Sequence, residues 1–326
     1  MAVMVGRYHL FQRKLSTGTF YYYWYEQDGK RIQKACGNKC DSKRVAVAYL
    51  EQILKEAQAT GYTFGKDLFV HGRAALTEQH HKDAEGPNGS LSTLHVSSTM
   101  SGAGATYALK AMRQLDTRLA EEVNLLQALP AKVFWQQFQQ ELVDGAVLHE
   151  VAQGFDLSLD YGMHTRHGTY RNCTAQQAAA DMGVQPSQVG DVYGNLRTFP
   201  IRVGNNFDAD GKRVGYSGDW HPDQIELDWQ TIGAAAGMPQ AEIDRLYDRE
   251  LTTVTKKLRR VASFSFDGLK YGAAFNGCTK LILNFAQYLD WGALDTKSAD
   301  NSAMASWNEQ LHSFIHRLED ESGLPV

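Results

Sequence analysis

Two stretches hold the residues best suited to chemistry on an anion. Residues 96–113 read VSSTMSGAGATYALKAMR and residues 148–172 read LHEVAQGFDLSLDYGMHTRHGTYRN. In the first, Gly102 and Gly104 allow close approach of the backbone, Ser98 and Thr99 add hydroxyl donors, and 105–113 is a good helix former. A helix N-terminus exposes N–H groups and the positive end of aligned dipoles, so this pattern predicts an anion site. Lys110 and Arg113 share a face of that predicted helix, placed for a phosphate, with a solvated basic face as the ordinary alternative. Nucleotide chemistry is the first hypothesis.

Other constellations carry less. GYTFGK at 61–66 ends in Gly-Lys but has neither the spacing nor the following hydroxyl residue of a P-loop. His80, His81 and Glu85 stand at helix-like spacing, which fits a solvated face better than a metal set. Cys36 and Cys40 form half of a metal pattern without its second half, so free thiols are the simpler reading and no metal ligand is assigned. Four cysteines in 326 residues make no dense disulfide framework.

Those groups need a scaffold, and 43% hydrophobic content is enough to build one or two cored domains. The longest apolar stretches, such as 281–286, are far short of the roughly 20 residues of a membrane span. With no apolar signal core at the N-terminus, a cytoplasmic protein without membrane contact is expected. The net charge of −4 is uneven: residues 1–58 carry ten Lys and Arg against five acidic residues, about +5, leaving about −9 for the remainder.

Along the chain, 7–13, 19–26 and 30–34 read as three short strands, with Asp28-Gly29 turning the last two. Phe20 to Tyr25 are six consecutive aromatics, so one aromatic face of that strand points away from so small a core. Ser42 caps a predicted helix to Gln58. Residues 59–66 read as a junction, 67–70 as a short strand, 146–150 as a buried strand. Basic residues beside exposed aromatics suit nucleic acid, and equally a sheet packed on its own helix.

Residues 1–58, with RYHLFQRKLSTGTFYYYWYEQDGKRIQKACGNKC followed by SKRVAVAYLEQI, resemble the N-terminal DNA-binding module of phage-type tyrosine recombinases. That resemblance implies a three-stranded sheet plus helix that contacts DNA. His164, Arg166 and His167 mimic part of a recombinase His/Arg cluster, but the rest of that catalytic pattern is absent.

A second resemblance covers about 68–290. HEVAQGFDLSLDYG, the residues 165–172, GDVYGNLRTFPIRVGN at 190–205 and ELTTVTKKLRRVASFS at 250–265 follow one another as in adenylosuccinate synthetases, nearest the shorter archaeal and phage-like branch. The resemblance implies a ligase that joins aspartate to IMP or a guanine nucleotide at the expense of GTP or ATP. The purine 6-oxygen is phosphorylated, then displaced by the aspartate amine, with Mg²⁺ and preorganised donors stabilising the developing charge.

By the same resemblance Thr99 and Thr169 hold the nucleotide 5′-phosphate, and Arg113 reaches that phosphate across a homodimer interface. Gln153 hydrogen-bonds near the activated oxygen, and Val203 and Gly204 lie against the ribose. Thr252, Thr253, Arg259 and Arg260 bind the aspartate carboxylates, and Asp290 remains from the triphosphate-base segment LNFAQYLD. Departures matter as much. The family's GDEGKGK-like loop, with its catalytic Asp, Mg²⁺ contact and phosphate Lys, has no counterpart, nor does the Gly-His segment with the catalytic His. Those groups supply most of the positioning for phosphoryl transfer. A non-catalytic purine-nucleotide binder and a DNA-binding protein acting through 1–58 are therefore the alternatives to the ligase. The expected architecture is α/β: a small three-stranded sheet plus helix at 1–58, then at 67–326 a mixed, mainly parallel central sheet with flanking helices.

Overall fold

A computed structural model describes strands within residues 3–35, and residues 69–123, 126–252, 255–295 and 306–326. The chain divides into two compact units, one of residues 1–74 and 119–137, the other of residues 75–118 and 138–326.

The first unit holds an antiparallel sheet in the order β1 (Val3–Val5), β2 (Tyr8–Leu15), β3 (Gly18–Gln27), β4 (Lys30–Ala35). The expected three-stranded sheet therefore has a fourth strand. Three residues show no periodicity of their own, and β1 is defined only by its pairing with β2, Val3 opposite Leu10. Gln27 stands opposite Lys30, and the turn expected at Asp28-Gly29 lies outside the described residues. The helix expected at 42–58, the junction at 59–66, Cys36 and Cys40 lie outside the described residues. Of the strand expected at 67–70, residues 67 and 68 lie outside the described residues, 69 and 70 are irregular, and a single bridge follows between His71 and Leu129.

The second unit is the mixed α/β body. Its helices are α1 (Gln79–Glu85), α2 (Ala103–Ala111), α3 (Ala131–Asp144, begun in the first unit), α4 (Ala175–Met182), α5 (Trp229–Ala235), α6 (Gln240–Arg249), α7 (Phe266–Asn276) and α8 (Glu309–Ser322). Capping fixes where several begin: Thr174, Asp228, Ser265 and Asn308 each accept a backbone N–H from the first turn of α4, α5, α7 and α8.

The strands are short. β5 (Tyr193–Arg197) and β11 (Lys280–Asn284) pair in parallel; β6 (Ile201–Arg202), β10 (Arg260–Ala262) and β9 (Glu226–Leu227) form an antiparallel sheet in that order; β7 (Asn206–Phe207) and β8 (Arg213–Gly215) form a hairpin. The mixed α/β class is as expected, while among the described residues β5 and β11 form the only parallel ladder, beside the isolated parallel bridge of His71 and Leu129. Residues 146–150, expected as a buried strand, are irregular and exposed, Leu148 to 84%. A short apolar run becomes a strand only where a neighbour accepts its backbone, and this one has no ladder.

Two clusters form the core. Trp229, Ile232, Met238, Ile243, Leu246, Val261 and Tyr288 join α5 and α6 to the central strand β10. Phe266, Leu269, Ala273, Leu281 and Leu318 join α7 and α8 to β11. Together they fix the ends of the strands from which the loops described next emerge.

Candidate nucleotide site

The predicted anion site at the start of α2 is filled by the protein itself. Glu85, buried at the end of α1, accepts N–H bonds from Gly102 at 2.7 Å and Ala105 at 2.8 Å. The helix end does attract a negative charge, and that charge comes from 17 residues earlier in the chain. Of the three residues weighed as a metal set, His81 is also buried, taking an N–H from Glu78 on Nδ1. Among the described residues no group of three His, Cys, Asp or Glu is disposed to hold a metal. Arg113 falls outside α2, with φ of 59° and its N–H on the Lys110 carbonyl, so the two residues do not share a helical face.

The turn ahead of α2 is instead joined to the PIRVGNN segment. Ser97 Oγ accepts the Asn206 N–H at 3.0 Å, Asn206 Nδ2 donates to the Leu94 carbonyl at 3.0 Å, and Tyr216 N donates to the His95 carbonyl at 2.9 Å. This brings the segment carrying Thr99 beside the one carrying Val203 and Gly204. Lys257 Nζ reaches the Asn206 side-chain oxygen in turn. Gly204 is required by this packing, since a Cβ there would lie 2.6 Å from the Leu258 carbonyl oxygen.

Arg202 ties in the next loop. Its Nε donates to the Ser217 carbonyl at 2.6 Å and its Nη2 to the His167 carbonyl at 3.1 Å, two residues before Thr169. Asn205 Oδ1 accepts from Ser217 N at 3.0 Å. Arg202 stands opposite Arg260 in the β6–β10 register. Burial, and then the Arg260 charge, lower its pKa. Burial also holds His167 below its ordinary 6.5, with Arg202 and His164 adding to the effect. Thr169 N donates to the Leu157 carbonyl at 2.6 Å, which lays the Thr169 segment along the one carrying Gln153. Gln153 is exposed at φ of 64°.

The Thr252 loop closes on itself. Thr252 is buried, donates its N–H to the Lys257 carbonyl at 2.8 Å, accepts the Lys256 N–H on its own carbonyl at 3.1 Å, and its hydroxyl accepts the Lys257 N–H at 2.9 Å. Thr253 lies outside the described residues. Both arginines that follow already hold carboxylates. Arg260 makes a two-pronged contact with Glu226 at 2.8 and 2.7 Å, and Arg259 sits 3.4 Å from Glu250. Glu250, only 4% exposed, also receives Arg197 at 2.5 Å and the Tyr288 hydroxyl at 2.6 Å. Burial and the Glu250 contact raise the Tyr288 pKa. Asp290 stands apart from this network, accepting N–H bonds from Gly292 at 3.0 Å and Asn308 at 2.6 Å.

Five segments, near 95–99, 167–169, 202–206, 215–218 and 257–260, thus converge on one hub of hydrogen bonds. Arg202, Asn205, Asn206 and Ser217 make that hub. Reading the sequence missed them as site-builders, although Arg202 and Asn205 lie inside the PIRVGN run. The hub is buried, with Ser97, Asn206 and Ser217 almost fully covered, and Arg202, Lys257 and Arg260 all bond to it, so the fold and site define a mixed α/β protein whose loops are tied together around three basic side chains.

The relatives carry the identification further. A family profile described as Adenylosuccinate synthetase matches residues 126–294. The chain belongs to the adenylosuccinate synthetase family. It is 32% identical over 254 residues to the N6-succino-2-amino-2'-deoxyadenylate synthase of Acinetobacter phage SH-Ab 15497, covering 69% of this chain and 60% of that one. It is 31% identical over 255 residues to the adenylosuccinate synthetase of Pyrococcus horikoshii, covering 78% and 65%. Among solved structures, the Cyanophage S-2L succinoaminodeoxyadenylate synthetase bound to dGMP and dATP aligns with a TM-score of 0.61 and 26% identity, over 92% of this chain and 78% of that one. The matches span about 60% of the length of the first phage relatives.

Proposed function

We propose that this chain binds a purine nucleoside monophosphate, IMP or a guanine deoxynucleotide, and joins aspartate to it as a carbon–nitrogen ligase using GTP or ATP. The observation that carries the reading is the convergence of the Thr99, Gln153–Thr169, Val203–Gly204 and Thr252 segments on the Arg202–Asn205–Asn206–Ser217 hub. The cyanophage relative, described as bound to dGMP and dATP, supports a deoxyguanylate as substrate and an adenine triphosphate as donor.

On this reading Thr99 and Thr169 hold the 5′-phosphate, joined by Arg113 from a second copy, and Gln153 meets the purine oxygen. Val203 and Gly204 back the ribose. Thr252 and Thr253 receive aspartate, whose carboxylate competes with the half-exposed Glu226 for Arg260 and with Glu250 for Arg259. Asp290 faces the triphosphate base with the lone pairs its two N–H bonds leave open. Magnesium, when bound, would neutralise the transferring phosphoryl group. The described residues include no cluster that fits the ion.

The test is aspartate-dependent release of inorganic phosphate from ATP or GTP in the presence of Mg²⁺ and IMP or dGMP. Release only with all components present supports the ligase. If either nucleotide raises the melting temperature, Gln153→Ala removes that shift, and no phosphate is released, the chain is a nucleotide binder without turnover. No shift and no release would reject both.

A further inference from the structure

The segment that presents Gln153 has no strand of its own and is held from three sides. The Phe155 ring lies 5.2 Å from both Tyr271 and Phe275, one turn apart on α7. Gly272 between them makes the room, because a Cβ there would lie 3.2 Å from Phe155 Cδ1. Leu157 is fixed by the Thr169 N–H. Between these anchors Asp156, 47% exposed, meets His221 Nε2 at 2.9 Å. His221 is itself 15% exposed and fixed in its loop, its N–H on Gln224 Oε1 at 3.0 Å. The same loop is pinned to the start of α7 by Asp223, which accepts from the Ser265 hydroxyl at 2.7 Å and Phe266 N at 2.9 Å.

We infer that His221 is a positioning residue for nucleotide binding: through its hydrogen bond to Asp156 it holds the Gln153 segment to the loop that caps α7. The inference rests on the purine-binding reading of Gln153. Without the bond, Asp156 is a half-exposed carboxylate in a segment that has no backbone ladder, and the neighbouring Gln153 must be ordered by the ligand itself. That ordering cost weakens binding without altering any group that touches the nucleotide.

The charged groups that act most strongly on the imidazole are carboxylates: Asp156 from the Gln153 segment, Asp223 from its own loop, and Asp267 from the first turn of α7. The Asp156 hydrogen bond, against the opposing effect of burial, holds His221 above its ordinary 6.5, with the three charges adding to the shift. For a raised histidine the charged pair is complete below the unfolded value and is lost as pH rises through the folded one. The tether therefore loosens on the alkaline side.

The experiment is calorimetric titration of the full chain with dGMP and with IMP between about pH 6 and about pH 9. Wild-type affinity should fall roughly 3- to 10-fold across that range, about one factor of ten per 1.4 kcal/mol. His221→Ala should bind weakly with a flat profile, and His221→Gln, which keeps a neutral donor, should recover much of the affinity while staying flat. Asp156→Asn, at a half-exposed position where folding is not at stake, should flatten the profile in the same way. Amide exchange at residues 154–158 should quicken in His221→Ala and in Asp156→Asn. If wild type binds and these variants keep its affinity and its pH profile, the positioning role is rejected and the purine reading stands. If wild type binds neither nucleotide at any pH, the purine reading is rejected, and the inference with it.

Discussion

Glu85 illustrates how one side chain can occupy a motif that looks like a ligand site. Its buried carboxylate satisfies the Gly102 and Ala105 N–H groups at the start of α2. Glu85→Ala should cost about 1–3 kcal/mol for each donor left unpaired, whereas Glu85→Gln, which keeps an acceptor, should cost less. Urea unfolding measures both, and equal stability of Glu85→Ala and wild type would remove the capping role. Arg260 presents the same logic at the surface. Its pairing with Glu226 holds that carboxyl below its ordinary 4.5, mainly through the hydrogen bond, and raises Arg260 in turn. Glu226 is nearly half exposed, so solvent screens the pair and little stability hangs on it. Exchange of Arg260 from Glu226 to an incoming carboxylate is correspondingly cheap. Glu226→Gln should tighten aspartate binding modestly if Arg260 receives aspartate, read as a lower KM for aspartate with kcat unchanged.

At the scale of elements, the end of α6 and the start of α7 each hold one organising carboxylate, Glu250 and Asp223. Leu246 on α6 is almost fully buried, four residues before Glu250, whose carboxylate organises Arg197, Arg259 and Tyr288. Leu246→Ala should destabilise the chain by about 2–5 kcal/mol and loosen that carboxylate with it. Thermal unfolding gives the first effect, and nucleotide affinity below the melting transition gives the second. At α7, burial alone would raise the Asp223 carboxyl, but the Ser265 hydroxyl and the N–H groups of Asp267 and Phe266 hold it below its ordinary 3.8. Its contribution is present above that ordinary value and lost as pH falls through the lower folded one. Asp223→Asn should cost about 1 kcal/mol at neutral pH, and the gap to wild type should close on acidification.

For the molecule as a whole, stability and ligand binding are linked. A nucleotide that binds only the folded chain at about 100 times its Kd should add about 2.7 kcal/mol, and the melting temperature should climb with ligand concentration. A melting temperature indifferent to dGMP and IMP would argue against the site. Among the described residues no helix is long and apolar enough to cross a membrane. The expected DNA contact concerns residues 1–58, of which only the strands β1 to β4 are described.

The sequence alone determined the family and the mixed α/β class, because these are carried by ordered motifs such as HEVAQGFDLSLDYG, PIRVGN and TTVTKKLRR. It also placed a helix over 105–113, which forms as α2 at Ala103–Ala111, because that run is made of good helix formers. Three matters were decided only by the tertiary structure, and each turns on contacts between residues far apart in the chain. Glu85 fills the α2 terminus from 17 residues away. Residues 146–150 are irregular, and among the described residues no strand accepts their backbone groups. His221 meets Asp156 across 65 residues, a distance over which periodicity and spacing carry no information.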